Sequence, residues 1–306
     1  MDIREWALVI YTILIQMSVG AFCVLGVIHT YAQRKYGQEE ADRISDRALL
    51  AIGPVLALGI LASFFHLGNP LNSYRAIANF ANSWLSREVL LTVIFFISGG
   101  LFAILQWRKI ASFTVRNVIA WITALVGLVL VFAMAQIYML ETQPAWNNFA
   151  TPIQFFATTF LLGALAIGAA LVVNYNLLQR EVPECAEQQC LLLRDAIRGI
   201  SLAGIVLLGI ELILVPVQIA YLAAQGAPAS LSAALLYGEF GLLLVLRLAL
   251  VFIGAGIFGL FLYRNAASPG GERVFATLIY SAFALVLIAE VMGRFLFYAT
   301  HIKIGI

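Results

Sequence analysis

The stretch SFFHLGNPLNSYRAIANFANSWLSREVL, residues 63–90, places a dense group of polar residues between two long apolar runs. It contains one histidine, two arginines, one glutamate and four asparagines, together with the helix-ending sequence Gly-Asn-Pro. Apolar runs of about 20 residues are long enough to cross a bilayer as helices. The stretch therefore predicts a polar connection between two membrane spans at one face of the membrane.

The composition of the whole chain extends this prediction. The 306 residues are 62% hydrophobic and 11% charged, and the mean hydropathy is +0.96. These values lie far from those of soluble globular domains, so we predict an all-α integral membrane protein that is embedded in the lipid bilayer. The net charge of +2 and the scattered Lys and Arg residues give no indication of a nucleic-acid partner.

Apolar runs bounded by charge or turn residues predict eight transmembrane helices. Little length remains for a soluble domain, so we expect one transmembrane anchor domain over residues 1–306. The expected spans are approximately 6–31, 48–67, 86–107, 118–140, 152–175, 200–222, 236–263 and 274–299.

The distribution of basic residues predicts the orientation of the protein. On alternate sides of an eight-span arrangement, 12 Lys and Arg residues lie on one side and 4 on the other. Because the side richer in Lys and Arg faces the cytoplasm, both termini and residues 63–90 are expected on the periplasmic side of the inner membrane. The protein is thus predicted to be a multi-pass protein of the cytoplasmic membrane.

Few residues are suited to hold a redox group. Of the three histidines, His29 is expected near the cytoplasmic face, and only His66 and His301 could share a depth, so we expect no haem. The cysteines form no cluster motif, so we expect no iron–sulfur cluster and no metal site in this chain. Cys185 and Cys190 lie in a predicted cytoplasmic loop to which no role is assigned. In a redox system, a partner would have to hold the metal centres.

Five charged residues fall within predicted spans, where charge is costly and often functional. Two interpretations remain open at this point: ion pairs that hold helices together, or a proton path. The residues at positions 290 and 294 on the eighth span can pair directly, because residues four apart share a helix face. The five residues are Glu211, Glu239, Arg247, Glu290 and Arg294.

Within the opening stretch, two titratable residues occupy helix ends. His66 is expected in the last turn of the second helix, where the helix dipole favours a protonated imidazole. Glu88 is expected in the first turn of the third helix, where the dipole favours a carboxylate. The apolar spacing over residues 71–81 predicts a short amphipathic helix at the interface, covering a site beneath it.

Three separated segments resemble the membrane anchor subunits of dimethyl sulfoxide reductases. Residues 63–90 resemble the segment between the second and third helices of that family. IYMLETQPAWNNFATPIQFFATTFLLG, residues 137–163, resembles the family's connection between the fourth and fifth helices, and GRFLFYATHIKIGI, residues 293–306, resembles its C-terminal ending. The resemblance extends over essentially the whole chain.

The resemblance implies a membrane anchor that binds and oxidises quinol, usually menaquinol, near the periplasmic face. In the family, the residues matched by His66 and Glu88 are tied to quinol oxidation; Arg75 and Ser86 are added as quinol-binding candidates by proximity only. The resemblance further implies two partners on the periplasmic face, an Fe–S electron-transfer subunit and a molybdopterin catalytic subunit. The terminal substrate would then be reduced on the partner and not on this chain.

Two other functions remain open from the sequence. The same anchor fold could serve another molybdoenzyme, for example one that acts on tetrathionate or polysulfide. A secondary transporter or ion-translocating subunit would use the intramembrane charges as its path, and such proteins often contain internal repeats. No convincing repeat is present in this sequence.

Overall fold

The computed structural model describes residues 3–65, 75, 77–181, 186–268, 270 and 274–304. The described residues form helices and connecting turns, without strands. The elements are α1 (Ile3–Tyr36), α2 (Gln38–Phe64), α3 (Trp84–Trp107), α4 (Phe113–Tyr138), α5 (Ala150–Glu181), α6 (Ala186–Ala223), α7 (Ala227–Tyr237), α8 (Gly241–Val251), a π-helical segment (Phe252–Phe258), α9 (Gly259–Ala266) and α10 (Phe275–Ala299).

The predicted all-α membrane fold with eight spans is confirmed. Eight helical units in the described residues are long and apolar enough to cross a bilayer, and α8, the π-helical segment and α9 together make one of them, Gly241–Ala266. The first, fifth and sixth spans exceed 30 residues. Since about 20 residues cross the hydrocarbon core, these three helices extend beyond it or tilt within it.

The seventh predicted span, 236–263, begins too early. Residues 227–237 instead form the short helix α7, and Glu239 lies exposed in the turn that joins α7 to α8. At the end of α7, Gly238 has φ −88° and ψ −88°, which is not a helical conformation. The expectation that Glu239 lies within a membrane span is therefore wrong, because hydropathy alone did not reveal the break at Gly238.

Helices α1 and α5 form the centre of the bundle. Gly20 of α1 and Gly163 of α5 face each other so closely that a Cβ atom on either would overlap the backbone of the other helix. Small residues allow such close approach between membrane helices, where van der Waals contact is the main attraction. The glycine pair therefore determines how deeply α1 and α5 pack together.

The bundle has two chemically different ends. At the terminal end, where both termini lie, Trp6 of α1 packs on Phe295 of α10 with ring centroids 5.7 Å apart. At the opposite, basic end, ion pairs join the helix ends: Lys35 lies 2.6 Å from Asp195, and Lys109 lies 2.9 Å from Asp42. The candidate site predicted from residues 63–90 belongs to the terminal end, since it includes the start of α3.

Candidate functional site

The start of α3 positions the described part of the predicted site. Ser83 caps the helix, and its side-chain oxygen accepts a hydrogen bond from the Ser86 backbone N–H at 3.4 Å. Ser86 and Glu88 are both buried, with side chains that belong to the first turns of α3. Because residues two apart on a helix point in different directions, these two do not share one face.

Glu88 is surrounded by hydroxyl groups. Its carboxyl group is in hydrogen-bonding contact with the hydroxyl of Tyr11 on α1. The same hydroxyl lies 3.2 Å from Oγ1 of Thr92, which donates a 2.8 Å hydrogen bond to the Glu88 backbone carbonyl. Among the described residues, no ion pair involves Glu88, so its neighbours are neutral groups that can donate or accept.

The Glu88, Tyr11 and Thr92 contacts suit a group that gains and loses a proton. The three contacts need three donated protons, whereas the two hydroxyls supply two when the Glu88 carboxyl is ionised. A protonated carboxyl supplies the third by donating to the Tyr11 oxygen, while Tyr11 donates to Thr92. When the carboxyl is ionised, the Tyr11 hydroxyl can donate to it instead. The protonated form thus satisfies all three contacts, whereas the ionised form keeps two of them, the bond from Tyr11 to the carboxylate and the bond from Thr92 to the backbone carbonyl.

Two more tyrosines lie beside this group. The hydroxyls of Tyr138, the last residue of α4, and Tyr298, near the end of α10, are 2.6 Å apart and buried. Both rings are close enough to Glu88 for electrostatic interaction. The carboxyl therefore lies at the edge of a larger buried set of hydroxyls built by α1, α3, α4 and α10.

The three segments that carry the resemblance meet at this end of the bundle. Trp146, in the connection between α4 and α5, donates a 2.7 Å hydrogen bond to the carbonyl of Phe297 and stacks on His301 with ring centroids 4.4 Å apart. The backbone N–H of Ile304 donates to the carbonyl of Thr142 at 3.0 Å. Segments 137–163 and 293–306 therefore pack directly on each other, next to the helix that carries Glu88.

A second buried polar cluster lies deeper in the terminal half. Arg247 of α8 contacts Glu211 of α6 at 3.0 Å and Glu290 of α10 at 3.5 Å through the same Nη2 atom. The other oxygen of Glu290 accepts a 2.6 Å hydrogen bond from Thr158 of α5. All four residues are more than nine-tenths buried. This cluster therefore connects four helices through one guanidinium that faces two carboxyl groups.

Arg294 has partners other than Glu290. It donates a 2.7 Å hydrogen bond to Gln16 of α1, and its guanidinium lies 3.8 Å from the centroid of the Phe155 ring. Glu290 and Arg294 do not pair, although their spacing allows it: Glu290 contacts Arg247 and Thr158 instead. Helical spacing identified a possible partner, but the neighbouring helices supply better ones.

Of the two remaining predicted site residues, His66 and Arg75, the structure describes only Arg75. His66 lies outside the described residues, so its role remains a prediction. Arg75 is exposed, and it and residues 77–79 have 3₁₀ conformation. Within residues 71–81, where a short amphipathic helix was predicted, the described residues 75 and 77–79 are therefore in 3₁₀ conformation.

Sequence reasoning missed Tyr11, Tyr138 and Tyr298 as neighbours of Glu88. Tyr138 and Tyr298 do lie in the two other segments of the resemblance, and this could have identified them. Tyr11 sits in a long apolar helix and has no local signal. Among the described residues, no group of three or more His, Cys, Asp or Glu side chains is placed to hold a metal ion. Cys185 lies outside the described residues.

Comparison with known proteins gives one family. The family model described as "DMSO reductase anchor subunit (DmsC)" matches residues 1–300. The sequence is 26% identical to the C component of the anaerobic dimethyl sulfoxide reductase of Escherichia coli K12, over 99% of this protein and 96% of the relative. The corresponding component from Haemophilus influenzae is 29% identical, over 98% and 96%. The C component of the sulfite dehydrogenase of Allochromatium vinosum is 33% identical over 89 residues, 29% of this protein and 27% of the relative.

Proposed function

The chain belongs to the DMSO reductase anchor subunit family, and on that premise we propose that it oxidises menaquinol at the terminal end of the bundle. It would anchor an Fe–S electron-transfer subunit and a molybdopterin catalytic subunit to the inner membrane, with both partners on the periplasmic face. The eight apolar spans and the full-length match to anchor subunits support a multi-pass inner-membrane protein.

The observation that carries the proposal is the buried Glu88 carboxyl with hydroxyl partners. Oxidation of one quinol to quinone releases two electrons and two protons. Glu88 would accept one proton, and the Tyr11 hydroxyl would keep the carboxyl hydrogen-bonded before and after the transfer. His66, which follows α2 in the sequence, would accept or orient the other hydroxyl. The two electrons would pass to the nearest Fe–S cluster of the partner.

A groove between α2 and α3 supports a ligand that arrives from the lipid. Its volume is about 120 Å³. The groove is lined by apolar residues, among them Leu56 and Phe96. Three glycines, Gly53, Gly99 and Gly100, also line it and leave room for a slender hydrocarbon tail. The groove lies between α2, which His66 follows in the sequence, and α3, which carries Glu88 near its start. A quinol ring held there could thus keep its hydrocarbon tail in an apolar channel.

The proposal is tested by titrating a menaquinol analogue into the complex that co-purifies with the protein. We expect Glu88→Gln and His66→Ala to lower quinol-dependent turnover by at least about 100-fold, the scale of general acid–base catalysis. Glu141→Gln is the matched control, because Glu141 is an exposed carboxylate at the same end of the bundle. Unchanged turnover and binding in both site variants would exclude this site.

The identity of the partner enzyme is a separate question. The partial match to a sulfite dehydrogenase component favours, as a second candidate, an anchor for an enzyme of another sulfur compound. Mass spectrometry of the subunits that co-purify with the protein distinguishes the two, since the catalytic subunit identifies the reaction. An anchor for a dehydrogenase would pass electrons in the opposite direction, so its site would reduce quinone and take up protons instead of oxidising quinol.

A further inference from the structure

A groove at the basic end of the bundle has the shape and charge of a lipid site. It has a volume of about 600 Å³ and is formed by α1, α5 and α6. Both α1 and α6 pack closely on α5 but make few contacts with each other, so a wedge opens between them. We refer to this space as the α1–α6 groove.

Apolar and small residues line most of the α1–α6 groove. Its walls and floor include Val27, Ile28, Ala164, Ala196, Leu202 and Ala203. Val27 and Leu202 are exposed, at 59% and 55%, so the groove opens on the outside of the bundle, where lipid lies. Gly199, on the same wall, is exposed, and a Cβ atom there would meet nothing within 4 Å. The groove therefore has room for a hydrocarbon tail along its length.

Charged residues at the rim belong to the basic end. Asp195 is the acidic residue at the rim. Its Oδ2 atom accepts hydrogen bonds from Lys35 at 2.6 Å, Tyr36 at 2.7 Å and Tyr31 at 3.0 Å. Lys35 thus compensates the charge of Asp195. The acid consequently presents little net charge to a ligand in the groove.

Arg198 is the cation that remains at the rim. It lies three residues after Asp195, on the same side of α6, and is exposed. Its Nη2 atom donates to the Tyr263 hydroxyl at 3.3 Å, and the guanidinium lies 5.1 Å from the centroid of that ring. This contact holds the guanidinium in place and uses one of its five N–H donors. The planar guanidinium suits a phosphate, because it can form two parallel hydrogen bonds.

We propose that the α1–α6 groove binds an anionic phospholipid, with an acyl tail between α1 and α6 and the headgroup phosphate on Arg198. A zwitterionic lipid would fill the same apolar space but would lose the net attraction to the basic end. The proposal does not depend on quinol chemistry, because the groove lies at the end of the bundle opposite Glu88.

The experiment measures retention of phosphatidylglycerol and phosphatidylcholine by the full-length protein with its co-purifying subunits, using native mass spectrometry during stepwise delipidation. We expect the wild type to retain phosphatidylglycerol more tightly. Arg198→Gln should weaken that retention about fivefold, the effect of one surface cation on an anionic lipid. Gly199→Leu should reduce retention of both lipids while melting normally, since its side chain would enter open space.

Arg108→Gln is the matched control. Arg108 is also exposed at the basic end and also lies over an aromatic ring, 5.4 Å from the centroid of Trp107, but it does not line the groove. Its substitution should change phosphatidylglycerol retention by less than about twofold, because it adds only general surface charge. Equal losses from the two arginine variants, equal retention of the two lipids by the wild type, or an unaffected Gly199→Leu would each overturn the proposal.

Discussion

The terminal half of the bundle contains two buried groups of polar residues that handle charge in different ways. Around Glu88, the partners are the hydroxyls of Tyr11 and Thr92. Around Arg247, two carboxylates from different helices face one guanidinium. The first group can change its protonation without breaking an ion pair, whereas the second contains a guanidinium whose ion pairs with two carboxyl groups join three helices. The comparison indicates that Glu88 is suited to proton transfer and that the Arg247 cluster is suited to holding helices together.

Removal of Arg247 should have the largest effect. Arg247→Leu would leave Glu211 and Glu290 buried beside each other, and breaking a buried charge cluster costs about 3–5 kcal/mol. We expect unfolding in mixed micelles to show a loss of this size. Arg108→Leu is the control, because Arg108 is exposed and lies over Trp107 at 5.4 Å; it should cost less than about 1 kcal/mol.

A triple variant sharpens the test of Arg247. Adding Glu211→Gln and Glu290→Gln to Arg247→Leu removes the uncompensated carboxylates and should restore most of the lost stability. If Arg247→Leu were as stable as the wild type, or if the triple variant were no better than the single one, a structural role for this cluster would be wrong.

Glu88→Gln should show the opposite pattern. We expect about a 100-fold loss of quinol-dependent turnover, equivalent to about 2.7 kcal/mol in the activation barrier. Its free energy of unfolding should change by less than about 1 kcal/mol, because the glutamine side chain can still hydrogen-bond to Tyr11 and the bond from Thr92 goes to the backbone carbonyl of residue 88. Glu211→Gln should do the reverse, with a loss of stability and nearly normal turnover in the protein that remains folded. Similar behaviour of the two variants would remove the distinction between the clusters.

Gly293→Ala tests how the Arg247 cluster is packed. The guanidinium of Arg247 occupies the space beside Gly293, and a Cβ atom there would lie 2.9 Å from its Cζ and closer still to Nε. We expect a loss of about 2 kcal/mol on unfolding, in the range of overpacking effects. Gly209→Ala is the matched control in another membrane helix, since its Cβ would meet nothing within 4 Å. Equal stability of the two variants would contradict this account of Gly293.

Tyr11→Phe should have the smallest effect of the series. It removes the hydroxyl that contacts Glu88 and Thr92 but keeps the ring. We expect about a tenfold loss of turnover, equivalent to about 1.4 kcal/mol, because the carboxyl remains but loses its partner. Tyr280→Phe, at a partly exposed position on α10, should leave turnover unchanged. A normal turnover in Tyr11→Phe would show that Glu88 needs no hydroxyl partner.

Local sequence signals were reliable where one helix decides the outcome. The polar stretch 63–90 correctly separates two spans, but α3 begins at Trp84, so Glu88 is its fifth residue and lies in the second turn instead of the first. Glu239 shows the limit of such signals: its neighbours are apolar enough to suggest a span, but the backbone turns at Gly238 before α8 begins. Hydropathy averages over many residues, whereas the conformation of one glycine ended the helix.

The partners of buried charges could not be predicted from spacing. Glu290 and Arg294 share a helix face, yet Glu290 contacts α8 and α5 while Arg294 contacts α1. Gly293 is a further example, since its importance follows from an arginine 46 positions earlier in the sequence. These contacts depend on how helices rotate and which helices become neighbours.

The sequence by itself determined the membrane environment, the number of spans and the end of the bundle at which Glu88 lies. Each of these follows from the free-energy cost of placing polar groups in hydrocarbon. This cost applies to each segment of the sequence separately. Only the tertiary structure decided that Glu88 meets Tyr11 and that Arg247 lies between two carboxylates. Such contacts join residues far apart in the sequence, and they form because helix packing brings the helices that carry them together.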